Sequence, residues 1–120
     1  MASHDTTAAQ NEVAQLVSEL IQIDTSNFGN DEGPGEAVAA DYVQQRLSEV
    51  GIESERFSTT SDRRQGVVAR IAGRDPQRGA LLLHGHLDVV PAPEPDWLHP
   101  AFSGVIDEHE MLWGRGAVDM

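Results

Sequence analysis

The triplet His86-Leu87-Asp88 carries the side chains best suited to chemistry, and thirty-three residues after His86 stands Asp119. A histidine and a carboxylate at the end of an apolar run, followed by a carboxylate at the end of a glycine-rich turn, is one way to build a metal site. His86 and Asp88 are two residues apart, so on an extended backbone both fall on one side of the chain. One can bind a metal while the other holds the imidazole, fixing its tautomer and raising its basicity. His84 falls on that side too, and His84-Gly85-His86 is itself an H-x-H pair, so the residues alone leave the ligand open. Asp119 closes the segment Trp113-Gly114-Arg115-Gly116-Ala117-Val118-Asp119, whose glycines permit a tight turn or a close approach. A carboxylate delivered that way can bridge two cations, and such a pair of metals can bind, deprotonate and aim one water.

The elements that must position these groups can be read from the pattern. Val13, Leu16, Val17, Leu20 and Ile21 recur at helical spacing and predict a helix from Thr7 to Gln22. Gly29 to Gly35 is a polar loop. A second helix is expected from Gly35 to Val50, with Val38, Ala39, Tyr42, Val43 and Leu47 on its apolar face and Gly51 as its C′ glycine. Ile52 to Thr59 and Gly66 to Ala72 read as strands. Gly73 to Gly79 reads as a turn leading by hairpin into Ala80–His84. Leu81-Leu82-Leu83 is apolar on consecutive positions, as in a strand buried on both faces. Pro91 to Pro95 must be a loop. Phe102 to Ile106 and Glu110 to Trp113 read as short strands about the turn Asp107-Glu108-His109. The order favours an α/β or α+β layer fold, in which a mixed sheet is flanked by helices.

Composition narrows the chemistry. The chain has 120 residues, 39% hydrophobic and 5% aromatic, so a self-contained core would be thin. Twenty acids against eight bases give a net charge of −12, which disfavours nucleic acid and anionic membranes as partners. There is no cysteine, so any metal must be held by His, Asp and Glu, which suits zinc, cobalt or manganese. No secretory signal and no membrane span is evident, and the expected location is cytoplasmic.

Blander readings apply to each feature taken singly. H-x-D triplets occur by chance, and an isolated G-R-G is usually a turn. Trp97, Phe102 and Trp113 fit packing roles. His4 sits in a terminus that should fray. His99 and His109 belong to loops and are expected to be solvated.

In combination the motifs are specific. Leu81-Leu82-Leu83-His84-Gly85-His86-Leu87-Asp88-Val89-Val90-Pro91 resembles the first zinc motif of the M20 metallopeptidase family. That family includes carboxypeptidase G2-like enzymes, acetylornithine deacetylases, succinyl-diaminopimelate desuccinylases and dipeptidases. Trp97, Pro100 to Gly104 and Trp113 to Met120 resemble the family's next segments in order and spacing, and Ile23 to Ser26 with Gly35-Glu36 resemble its opening. The resemblance implies that His86 binds one metal, that Asp88 orients His86 as part of the catalytic group, and that Asp119 bridges two metals. It implies that His84 is not a ligand, and that the Asp119–Met120 bond is cis. It implies a dinuclear Zn2+ centre, with Co2+ as a substitute, cleaving peptide or N-acyl amide bonds of small substrates. The family's pattern continues with a lysine, a Glu-Glu pair holding the general base, an acidic ligand, a distant histidine and an inserted lid or dimerisation domain, none of which this chain contains. Residues 1–120 are therefore expected to be the N-terminal part of the catalytic metal-binding domain, inactive alone and weak in zinc binding. A homodimer would form through the domain that is absent. Rival readings are a truncated non-catalytic module, a mononuclear H-x-D enzyme and an H-x-H amidohydrolase barrel. Two helices ahead of the motif fit neither of the two enzyme folds.

Overall fold

The computed structural model describes residues 6–119; His4 and the Asp119–Met120 bond lie outside the described residues. Helix α1 spans Thr6–Ile21, one residue earlier at each end than the periodicity predicts. Leu16, Val17 and Leu20 are half-buried and Ile21 is buried, while Val13 at the other end of the stripe is exposed. Helix α2 spans Ala37–Glu49. Its buried face is made by Ala39 and Ala40, with Val38 left in solvent. Gly51, at φ 76°, ends the helix as expected. Its N–H bonds Ser48 O at 2.9 Å and the Ile52 N–H bonds Leu47 O at 2.9 Å, the paired pattern that satisfies the last carbonyls of a helix. The Tyr42 hydroxyl donates to Glu19 Oε2 at 2.5 Å and ties α2 to α1.

Strand β1 (Ser54–Ser58) pairs antiparallel with β2 (Gln65–Ala69), with Arg56 opposite Val67. Arg56 fastens this hairpin to α2. Its Nε donates to Gln44 Oε1 at 3.1 Å, its NH1 to Ala37 O at 3.3 Å, and its NH2 pairs with Asp41. The class is α/β, as the pattern of elements predicts. The sheet is two-stranded, and the parallel part of the expected mixed sheet is a single bridge between Ser26 and Val89.

The expected hairpin from β2 into Ala80–His84 does not form. Leu81, Leu82 and Leu83 are 84%, 78% and 83% exposed, and no strand runs through them. A strand that is apolar on both faces gains from pairing only when layers cover both faces. Among the described residues nothing covers this one, and the preceding turn is held by little more than Arg78 N–H to Asp75 O at 3.3 Å and Gln77 N–H to Asp75 Oδ1 at 3.0 Å. The two later strands are likewise reduced to one bridge, Ile106 with Leu112. There the Asp107 carboxylate accepts from His109 N at 2.8 Å, Met111 N at 2.9 Å and Trp113 Nε1 at 2.8 Å.

The core is thin, as composition predicts. Its buried apolar residues are Ile21, Ala39, Ala40 and Ala101. The radius of gyration is 16.5 Å, above the ~14 Å expected for a compact chain of this length. Among the described residues no helix is long and apolar enough to cross a membrane.

Candidate metal centre

The tetrad Asp24-Thr25-Ser26-Asn27, just beyond α1, brings the H-x-D triplet into place. Asp24 Oδ1 accepts from Ser26 N at 2.9 Å and Ser26 Oγ at 2.6 Å, which bends the chain away from the helix axis. The extended backbone beyond then runs parallel to residues 87–89. The Val89 N–H bonds Thr25 O at 3.2 Å, the Asn27 N–H bonds Val89 O at 2.8 Å, and Thr25 Oγ1 donates to Leu87 O at 2.7 Å. Thr25 and Ser26 are each 3% exposed, so these bonds are shielded from water.

Asp119 is delivered from the other side. Ile21 packs so closely on Gly114 that a Cβ there would run into Ile21 Cγ2. The Arg115 N–H bonds Ala101 O at 2.7 Å, and its guanidinium lies 4.9 Å from the centre of the Trp97 ring. Gly116, at φ 90°, takes a conformation that disfavours a side chain. The turn then closes with Asp119 N–H to Gly116 O at 3.2 Å. Helix α1 therefore supports both halves of the site, the triplet through the tetrad and the glycine turn through Ile21.

His86 Nδ1 lies 2.8 Å from the Asp88 carbonyl oxygen and 3.3 Å from Asp88 Oδ1. Both are acceptors, so Nδ1 carries the proton of the neutral ring and the lone pair sits on Nε2. Nε2 faces Asp119 Oδ2 at 3.9 Å. Two donors about 2.1 Å from one tetrahedral zinc stand about 3.4 Å apart, so these side chains need to close by only ~0.5 Å. An imidazole nitrogen and a carboxylate oxygen, with no thiolate, suit zinc or cobalt. Among the described residues no cluster of three or more His, Asp or Glu comes together as a complete set. A cavity of about 110 Å³ adjoins the pair, lined by apolar side chains that include Leu20, Ile21 and Phe102, with Arg115 at its edge.

His84 is exposed, and among the described residues no hydrogen bond or ion pair engages it. His109 is a solvent-exposed neighbour of Glu108. His99, expected in solvent, is half-buried with its ring 5.0 Å from that of Trp113. Sequence reasoning gave no role in the site to three residues. Asn27 Nδ2 donates to Asp88 Oδ2 at 2.9 Å, Arg64 NH2 donates to Asn27 Oδ1 at 3.2 Å, and Arg64 NH1 pairs with the buried Glu36 at 2.5 Å. The only local signal was the run of short polar residues straight after a helix.

The profile of the peptidase family M20/M25/M40 matches residues 82–120, the stretch that holds both halves of this site. The chain is 31% identical over 109 residues to the N-fatty-acyl-amino acid synthase/hydrolase PM20D1 of Mus musculus, covering 89% of this chain and 21% of that protein. It is 37% identical over 89 residues to a succinyl-diaminopimelate desuccinylase of Alkalilimnicola ehrlichii, covering 72% of this chain and 22% of that enzyme. It is 36% identical over 111 residues to the enzyme of the same name from Hydrogenovibrio crunogenus, covering 91% and 26%. The chain thus spans between a fifth and about a quarter of the length of these relatives. Profile, relatives and motifs agree that the chain belongs to the M20/M25/M40 peptidase family.

Proposed function

We propose that the protein is a metal-dependent hydrolase of N-acyl amide or peptide bonds, and that residues 1–120 are the N-terminal part of its catalytic domain. The observation that carries this is the pairing of His86 Nε2, its lone pair free, with Asp119 Oδ2 at 3.9 Å. The names of the relatives, a desuccinylase and an N-fatty-acyl-amino acid synthase/hydrolase, favour small N-acyl amino acids over longer peptides as substrates.

His86 would hold one ion through Nε2, and Asp119, with two oxygens, can reach two. A dinuclear zinc centre, or cobalt in its place, is the fullest use of that geometry. When bound, such ions supply Lewis acidity at the scissile carbonyl. Asp88 keeps the proton at Nδ1, so that Nε2 is always the donor atom. The base that deprotonates the attacking water is not among these residues. A mononuclear H-x-D site needs both side chains on one ion; here the Asp88 carboxylate is turned to Nδ1 and to Asn27 instead.

The test is hydrolysis of N-succinyl and longer N-acyl amino acids by the protein loaded with zinc or cobalt. His86→Ala and Asp119→Ala should each lower kcat/KM by more than roughly a hundredfold. Rates that survive both changes overturn the assignment.

A further inference from the structure

The Asp88 carboxylate, whose Oδ1 stands 3.3 Å from His86 Nδ1, is connected by a series of hydrogen bonds to an ion pair inside the protein. Glu36 is 5% exposed, and its carboxylate takes Arg64 NH1 at 2.5 Å and the Gln65 N–H at 3.1 Å. The side chain of Arg64 is 15% exposed, and its NH2 reaches Asn27 Oδ1 at 3.2 Å. The same Oδ1 accepts the Gly29 N–H at 2.9 Å. Two donors on one amide atom settle which atom it is, because an NH2 group cannot accept. The other end of the amide is therefore the NH2, and it donates to Asp88 Oδ2 at 2.9 Å. With Oδ2 held, Oδ1 is the oxygen left facing His86 Nδ1 at 3.3 Å.

We infer that Asn27 is a positioning residue for the metal centre, its amide locked in direction by the Arg64–Glu36 pair so that Asp88 presents one fixed oxygen to His86. This rests on the proposed metal reading for its purpose, but not for its geometry. Asn27, Arg64 and Glu36 lie on a different stretch of chain from the H-x-D triplet and touch no metal-facing atom. Their effect passes through the Asp88 carboxylate to the setting of the His86 ring, whose Nδ1 proton is held by the Asp88 carbonyl oxygen at 2.8 Å. Supports one step behind a ligand alter metal affinity by about 10–100-fold, and Asn27 stands one step further back, so the lower end applies.

The experiment compares wild type with Asn27→Leu and Asn27→Ala, with Asn30→Ala as a nearby control. Two quantities are read: the 15N resonances of the His86 ring in metal-free protein, and zinc affinity by competition with a chelating dye. Urea midpoints confirm that each variant is folded. Asn27→Ala, which adds no bulk, serves if Asn27→Leu does not fold. Wild type and Asn30→Ala should hold His86 with its proton on Nδ1. The Asn27 variants should keep that proton, held by the Asp88 carbonyl oxygen, but shift the Nδ1 15N resonance as the Asp88 carboxylate moves, and bind zinc about tenfold more weakly. A folded Asn27 variant with wild-type His86 15N resonances or wild-type zinc affinity overturns the inference. If His86→Ala leaves zinc affinity unchanged, the metal reading falls instead, and the His86 15N resonances alone decide the role of Asn27.

Discussion

Replacing Glu36 by glutamine tests how much the buried ion pair contributes to holding the site together. The change keeps the shape and removes the charge. Glu36 accepts from Arg64 NH1 and from the Gln65 backbone N–H through its two oxygens. A glutamine has one acceptor oxygen, so one of those donors loses its partner in a place shielded from water. Hydrogen bonds to charged groups contribute about 1.5–3 kcal/mol, and removing one partner of a buried pair costs about 3–5 kcal/mol. Arg64 keeps Asp31 at 3.5 Å and Glu32 O at 3.3 Å, and its side chain is 15% exposed, so the lower part of that range applies. We expect a loss of about 2 kcal/mol, a roughly thirtyfold fall in the ratio of folded to unfolded protein. An internal standard is Glu49→Gln. That carboxylate pairs with Arg46 at 3.0 Å, but the two side chains are 46% and 34% exposed, and the pair is worth only a few tenths of a kcal/mol. Urea unfolding monitored by the fluorescence of Trp97 and Trp113 measures both. Equal losses for Glu36→Gln and Glu49→Gln would refute the claim that burial makes the Glu36 pair different.

The same structure sets further outcomes. Burial and its hydrogen bond to Glu19 push Tyr42 up to about 12, so the folded protein keeps a proton that the unfolded chain releases near pH 10; stability should fall between pH 10 and about 12, and Tyr42→Phe should flatten that fall in alkaline unfolding curves. The Trp113 indole N–H holds the Asp107 carboxyl below its usual range, so acid should unfold the wild type by protonating Asp107, with a weaker dependence in Trp113→Phe. Gly114→Ala drives a methyl into Ile21 and should cost about 1–3 kcal/mol in thermal unfolding. With two donors converging among the described residues, the 120-residue chain should bind zinc at micromolar strength or weaker in calorimetry; nanomolar binding would contradict the geometry.

The parts of the fold that depend on near neighbours were legible in the sequence. Both helices announce themselves through apolar spacing, and Gly51 marks the end of α2 because its conformation admits little else. The Leu81-Leu82-Leu83 run misled for the opposite reason. Its hydrophobicity says that it wants cover on both faces, but says nothing of whether cover is there. The site divides in the same way. His86, Asp88 and Asp119 were readable as residue types with metal chemistry at a suggestive spacing. Asn27 was not, because its partner Asp88 is 61 residues away and the bond between them exists only once α1 and the parallel bridge are in place. Glu36 was noticed only as part of a resemblance; its burial, which gives it its role, is a property of packing.

The uncovered stretch between residues 70 and 84 carries Arg70, Arg74 and Arg78, all exposed and all in backbone outside helix or strand. Trypsin should cut there first, and the cut would fall between the two kinds of residue in the site. Asn27, Glu36 and Arg64 would remain on one piece, and His86, Asp88 and Asp119 on the other. The bonds from Thr25 and Asn27 to residues 87–89 are the ones that would hold the pieces together. The chain is thus laid out as a split protein, with the donors and Asp88 on one fragment, the residues that brace Asp88 on the other, and a short parallel seam as the joint.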